Sequence, residues 1–253
     1  MFGRKIPQDG YIDMHCHIVP GVDDGAKDME TALSMLKIAY EDGIRAMIAT
    51  PHYHPDKVLV DEALVYESFC TLKDEAEKQF QDMKLYYGRE IYCDYDSVDV
   101  LCKRKLKLTM CDTEYVLVEF PTSVEYQYLQ NMVRRLIMSG YIPIIAHIER
   151  YECLVSHPER VAELHNMNIV MQVNAVSVMG NMGKEIKKFV KNLLKNNLID
   201  LVASDAHSAG RRTPRLRKAA VYVGRKYGVH TMERLFIDNQ RRVIGGKFME
   251  EAL

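Results

Sequence analysis

Short apolar runs rich in Ile, Val and Tyr alternate along the chain with longer amphipathic stretches. The runs occupy residues 11–17, 44–50, 84–91, 115–120, 142–147, 169–174 and 199–204. Each has the length and β-branched character of a buried strand. The seven starts recur at intervals of roughly 30–40 residues, the size of a strand–helix unit.

The stretches between them carry helical periodicity. Over residues 28–41, apolar side chains fall at Met29, Ala32, Leu33, Leu36, Ala39 and Tyr40, the i, i+3, i+4, i+7 spacing of a one-sided helix. Asp28 is placed to cap its start and Gly43 to end it. Residues 60–80 and 124–138 behave similarly. Near the C-terminus, Thr213-Pro214 reads as an N-cap followed by proline at the first helical position. Strands alternating with helices imply an α/β fold with a mainly parallel sheet. Periodicity alone leaves open whether that sheet closes as a barrel or is doubly wound.

The chemistry gathers where these strands end. The first run closes in His15-Cys16-His17, and residues two apart on a strand face one side. The two imidazoles can therefore converge on one ion or on adjacent ions, while Cys16 points the other way into packing. His52 ends the second run, Glu90 lies at the close of the third, and Glu119 and His147 end the fourth and fifth. Asp205-Ala206-His207 follows the seventh, a second pair two residues apart, and Asp24 lies in the loop after the first. Parallel α/β folds build their sites at the C-terminal ends of strands. Five histidines and four carboxylates at one such edge would be a costly coincidence, because clustered carboxylates repel one another unless cations neutralise them. A lone histidine or carboxylate at a strand end usually packs or caps a helix; the joint pattern points to metal.

An imidazole and carboxylate donor set without thiolate suits Mn, Fe, Zn or Mg better than a structural zinc site. Nine ligands can serve three ions if a carboxylate bridges. Arg150, three residues past His147, and Arg211 and Arg212, shortly after His207, lie in loops at the same end. Guanidinium groups there suit a phosphoryl group, to which they can donate two parallel hydrogen bonds. Spacing does not choose between Arg211 and Arg212. No C-x5-R loop, P-loop or G-x-S-x-G elbow occurs in the sequence.

Composition narrows the class rather than the chemistry. The chain has 253 residues, of which 47% are hydrophobic and 27% charged, with a formal net charge of -1. Without a linker or compositional shift, residues 1–253 read as a single domain, with residues 1–10 as a short leader. The charge balance offers no footing for nucleic acid. No apolar run is long enough to insert in a membrane, and six scattered cysteines without C-x-x-C spacing fit reduced thiols. A cytoplasmic location is the expectation.

The segment from Tyr11 through His15, His17 and Asp24 to Lys27 resembles the PHP (polymerase and histidinol phosphatase) superfamily, as do Ala49-Thr-Pro-His52, Ala146-His147-Ile-Glu-Arg150-Tyr and Ala203-Ser-Asp205-Ala-His207. Within it, the chain is most similar to the bacterial manganese-dependent tyrosine-protein phosphatases of the capsular polysaccharide type. That resemblance implies a distorted seven-stranded (β/α) barrel and a centre of three divalent ions, Mn²⁺ with Fe, Zn or Mg as alternatives. It carries ligand roles onto His15, His17, Asp24, His52, Glu90, Glu119, His147, Asp205 and His207, and phosphate binding onto Arg150 and Arg212. It gives His54 and the leader no role. It also implies a substrate, the phosphotyrosine tail of a bacterial tyrosine kinase that controls capsule or exopolysaccharide synthesis. Two other readings compete: a small-molecule phosphatase of the same superfamily, such as one acting on histidinol phosphate, and a non-catalytic phosphotyrosine-binding regulator.

Overall fold

The computed structural model describes residues 7, 9–55, 60–103 and 107–249. Most of the expected leader, residues 1–6 and 8, therefore lies outside the described residues.

The apolar runs and the residues just past the second form nine strands among the described residues: β1 (Tyr11–Cys16), β2 (Ile44–Ala49), β3 (His52–Tyr53), β4 (Lys84–Tyr87), β5 (Glu90–Tyr92), β6 (Tyr115–Glu119), β7 (Ile142–Ile145), β8 (Val170–Asn174) and β9 (Leu201–Ala203). The helices are α1 (Met29–Asp42), α2 (Glu62–Gln79), α3 (Tyr95–Cys102), α4 (Tyr126–Met138), α5 (Glu152–Val155), α6 (Glu159–His165), α7 (Ala175–Val178), α8 (Lys184–Lys195), α9 (Arg217–Tyr227), α10 (Val229–Glu233) and α11 (Asn239–Ile244). One sheet runs β1-β2-β4 and the other β3-β5-β6-β7-β8-β9, with every pairing parallel.

The expected count of seven strands is corrected by two breaks. Thr50-Pro51 separates β2 from β3, and Gly88-Arg89 separates β4 from β5. Pro51 has no N–H to give a ladder. Gly88 passes so close to its neighbours that a Cβ there would lie 2.6 Å from the Met110 sulfur. Pairing survives the kink, because Gly88 N–H donates to Ala49 O at 2.9 Å and Glu90 N–H to Pro51 O at 3.2 Å. The sheets curl into an α/β half-barrel. Past its far edge, the chain after β9 returns to β1: Asp205 N–H donates to His15 O at 2.9 Å and His17 N–H to Ala206 O at 2.8 Å.

Both faces of the strands are buried, as covered parallel sheets require. Along β6, Tyr115 and Leu117 join a cluster of strand residues that includes Ile12, Ile48, Ile144 and Leu201. The alternate residues Val116 and Val118 join the larger cluster that ties strands to Leu36, Leu72, Leu129 and Leu193 of the helices. Cys16 is fully buried in that larger cluster, away from the imidazoles as expected.

Helix α1 starts and stops as its sequence predicts. Asp28 accepts from Thr31 N–H, and Gly43 adopts the left-handed conformation with its N–H on Ala39 and Tyr40 carbonyls. The predicted Thr213-Pro214 start of α9 is wrong. That helix begins at Arg217, and the Asp42 carboxylate at the end of α1 accepts from Leu216 and Arg217 N–H, both at 2.7 Å. A cap supplied from 175 residues away leaves no local signature.

Candidate metal centre

All nine sequence-predicted ligand residues meet at the C-terminal ends of the strands. The tightest group sits on β1, β5 and the turn after β9. His15 Nε2 and His17 Nε2 lie 3.2 Å apart, and each is 3.1 Å from Glu90 Oε2. Asp205 Oδ1 stands 3.6 Å from His15 Nε2 and 3.7 Å from His17 Nε2. Donors about 2.0–2.2 Å from one ion in tetrahedral array are separated by roughly 3.4 Å, so this spacing suits a common cation.

Two further groups share residues with the first. His52 Nδ1 is 3.1 Å from both Glu90 Oε2 and Glu119 Oε1. His147 Nε2 lies 2.9 Å from the other Glu90 oxygen and 3.8 Å from Glu119 Oε2. Glu90 thus spans the groups, as a bridging carboxylate would. Asp24 Oδ1 is 3.4 Å from His52 Nε2 and from His207 Nε2, next to His17.

The electrostatics call for cations. Burial opposes ionisation of Glu90, yet His15, His147 and His17 hold its carboxyl well below the usual range. Burial likewise opposes Asp205, which nearby His15 brings down to about 2. Burial opposes charge on His17, but Asp23 and Glu90 raise it to about 9. His52, against Asp24, Glu119 and Glu90, is raised to about 11 despite its burial. Protons on these imidazoles occupy the role that divalent ions can take. The donor set contains no thiolate, so imidazole nitrogen and carboxylate oxygen would share the ions.

Four residues that sequence reasoning did not single out orient the ligands. Asp23 Oδ2 accepts from His17 Nδ1 at 2.8 Å and from His52 N–H at 3.0 Å. Gln172 Oε1 lies 3.2 Å from His15 Nδ1 and accepts from His147 N–H at 2.8 Å. Its amide donates to Asn174, whose own amide donates to Asp205 Oδ2 at 2.8 Å. The fully buried Tyr151 hydroxyl lies 3.5 Å from His147 Nδ1 and accepts from Phe120 N–H. Such outer contacts fix imidazole tautomers and ligand direction. The available signal was Gln172 and Asn174, two polar residues on one face of an otherwise apolar strand. His147 and Asp205 also take positive φ, 34° and 52°, which is strained for side chains of this kind and typical of functional positions.

The arginines separate. Arg212 Nη2 lies 2.8 Å from Asp205 Oδ1, and Arg150 Nη1 lies 3.6 Å from Asp205 Oδ2. Arg211 is exposed beside them. A cleft of about 450 Å³ opens next to the ligands, lined by Asp24, His52 and Glu119 and by Val22, His54 and Tyr92. His54 is not among the clustered donors; its ring stacks on Tyr92 with centroids 4.5 Å apart. No helix among the described residues is long and apolar enough to cross a membrane.

The family described as capsular polysaccharide synthesis, CpsB/CapC, matches residues 11–245. A tyrosine-protein phosphatase CpsB of Streptococcus agalactiae is 34% identical over 245 residues, covering 94% of this chain and 100% of that protein. The tyrosine-protein phosphatase YwqE of Bacillus subtilis is 35% identical over 217 residues, 86% of this chain and 85% of its own. In solved structures, the chain superposes at a TM-score of 0.87 and 32% identity, over 94% of its length and 96% of the other's, within a study of YwqE from B. subtilis and CpsB from Streptococcus pneumoniae described as unique metal-dependent tyrosine phosphatases.

Proposed function

The chain belongs to the capsular polysaccharide synthesis CpsB/CapC family, and from that membership we propose that it is a metal-dependent protein-tyrosine phosphatase. The observation that carries the reading is the convergence of five imidazoles and four carboxylates on shared donor groups, with Arg150 and Arg212 at their edge. His15, His17, Asp24, His52, Glu90, Glu119, His147, Asp205 and His207 would hold three divalent ions, manganese first, at the mouth of a distorted (β/α) barrel formed by one domain. Bound there, such ions supply Lewis acidity toward a phosphoryl oxygen and acidify water.

The remaining work falls to the chain's own side chains. Arg150 and Arg212, held beside Asp205, would donate to phosphoryl oxygens with N–H groups that the ion pairs leave over, so that charge developing there meets donors already in place. Asp23, Gln172 and Asn174 hold His17, His15 and Asp205 in direction, so that little reorganisation accompanies the reaction. A tyrosyl leaving group has a conjugate acid of pKa about 10, so departure does not demand a strong general acid. We assign the substrate as the phosphotyrosine tail of a bacterial tyrosine kinase that controls capsule or exopolysaccharide synthesis, met by this protein in the cytoplasm.

The test is phosphate release from a tyrosine-phosphorylated kinase-tail peptide beside histidinol phosphate, with Mn²⁺ and then with excess chelator. Chelator-sensitive release from the peptide alone supports the reading. Preference for histidinol phosphate moves the protein to small-molecule metabolism, and no release from either removes the enzyme reading.

A further inference from the structure

The ligand layer has a second layer above it. Strands β3 and β5 pair in register, His52 opposite Glu90 and Tyr53 opposite Ile91. Side chains two apart on an extended chain face the same way. His54 therefore lies on the side of His52, and Tyr92 on the side of Glu90, while Tyr53 and Ile91 between them are buried on the other face. The imidazole of His54 and the phenol of Tyr92 stack, with centroids 4.5 Å apart and planes at 21°. Both rings are half-buried and line the cleft that His52, Asp24 and Glu119 also line.

We propose that Tyr92 and His54 form an aromatic shelf that receives the ring of an aryl phosphate and sets a preference for aryl over alkyl phosphates. The proposal rests on the phosphotyrosine reading above. One strand step of two residues advances about 6–7 Å, so the shelf lies that far beyond the layer of His52 and Glu90. A phosphoryl group held at the ligand layer carries its phenyl ring one ester linkage further out, toward the shelf. There the ring gains offset or edge contact with Tyr92, and Val22 closes the apolar side of the cleft. A seryl phosphate reaches the same ligand layer but presents only a methylene and backbone to the shelf. Its contact area is smaller, and the phosphate itself gives no discrimination.

The experiment uses the manganese-loaded protein and two non-hydrolysable probes, phenylphosphonate and methylphosphonate, titrated by calorimetry. Parallel kcat and KM values are taken on phosphotyrosyl and phosphoseryl peptides of one sequence. The wild type should favour the phenyl probe. Tyr92→Ala should lower its affinity by about tenfold and raise KM for the phosphotyrosyl peptide similarly, leaving the methyl probe and metal content unchanged. Tyr92→Phe should restore the preference, and His54→Ala should lose part of it. Where Tyr92→Ala fails to fold, Tyr92→Leu keeps the bulk without the ring and answers the same question. An unaltered phenyl-to-methyl ratio in folded, metal-replete Tyr92→Ala or Tyr92→Leu overturns the shelf. Absence of phosphate release from the phosphotyrosyl peptide by the wild type would instead overturn the phosphatase reading beneath it.

Discussion

The Asp23 carboxylate lies 2.8 Å from Nδ1 of His17, and that contact turns Nε2 of His17 toward Glu90, 3.1 Å away. Asp23 thus fixes the direction of the buried His17 ring, although it is no member of the nine candidate ligands. Asp23→Ala should weaken metal affinity and turnover by about 10–100-fold. Asp23→Asn, which keeps an acceptor for His17 Nδ1, should lose less. Metal titration against a competing chelator measures both, and unchanged affinity in the alanine variant would remove this role for Asp23.

His147 and Asp205 carry the strongest demands of geometry, since both hold positive φ in the turns where they meet Glu90 and His15. His147→Ala and Asp205→Ala should each lower kcat by at least about 10²-fold, the scale seen when one preorganised electrostatic group is removed. Alanine keeps the Cβ that makes a positive φ costly, and each substitution also loses a buried contact, so melting temperatures in chelator should fall somewhat below that of the chelated parent without loss of the fold. Near-normal turnover by either variant after metal depletion would show that the nine residues are not the catalytic centre.

The pH dependence follows from His17. Its partners raise its pKa in the folded, metal-free protein to about 9, above the unfolded value of about 6.5. The stability gained from the protonated ring is full below pH of about 6.5 and is lost as pH rises through about 9. A metal ion must displace that proton, so binding releases protons throughout this window. The gap in melting temperature between manganese-loaded and chelated protein should therefore widen from pH 6.5 toward pH 9. A gap that stays constant across that range would contradict the proton count.

Candidate ligands set by their own position in a strand were legible, and residues that act through a partner were not. His15, His17, Asp205 and His207 announce themselves by two-residue spacing at strand ends. Gln172 is separated from His15 by 157 positions, and nothing short-range connects them. The seven apolar runs were legible too, but the break at Gly88-Arg89 divides the third between sheets, and past Thr50-Pro51 the chain enters the second sheet as β3 beyond the end of the second run. Those breaks depend on where the curl needs a kink, which periodicity does not encode.

The start of α9 shows the same limit in energetic form. Thr213-Pro214 carries a local helix-start signature, yet Asp42 caps the helix three residues later by accepting from Leu216 and Arg217 N–H. Asp42→Ala should cost about 1–2 kcal/mol, the usual worth of an N-cap carboxylate, whereas Thr213→Ala should cost only a few tenths. Chemical denaturation of the two variants separates them, and equal losses would restore the sequence-predicted cap.

Arg211 and Arg212 are adjacent and chemically identical, so only placement distinguishes them. Arg212 reaches to 2.8 Å from Asp205 Oδ1, a candidate ligand carboxylate, and so stands beside the position proposed for the phosphoryl group. Arg211 is exposed. Arg150 approaches the other oxygen of Asp205 at 3.6 Å, so the two guanidinium groups flank one carboxylate. A charge-assisted hydrogen bond to a phosphoryl oxygen is worth about 1.5–3 kcal/mol, which corresponds to roughly 10–100-fold in kcat/KM. Arg212→Ala and Arg150→Ala should each show a loss of that size, and Arg212→Lys should recover only part of it because an ammonium cannot donate the parallel pair. Arg211→Ala should retain kcat/KM within about twofold, the effect of screened surface charge. Steady-state kinetics on one phosphotyrosyl peptide at fixed Mn²⁺ compares all four. A large loss confined to Arg211→Ala would reverse the assignment, and would mean that the loop turns over when substrate binds.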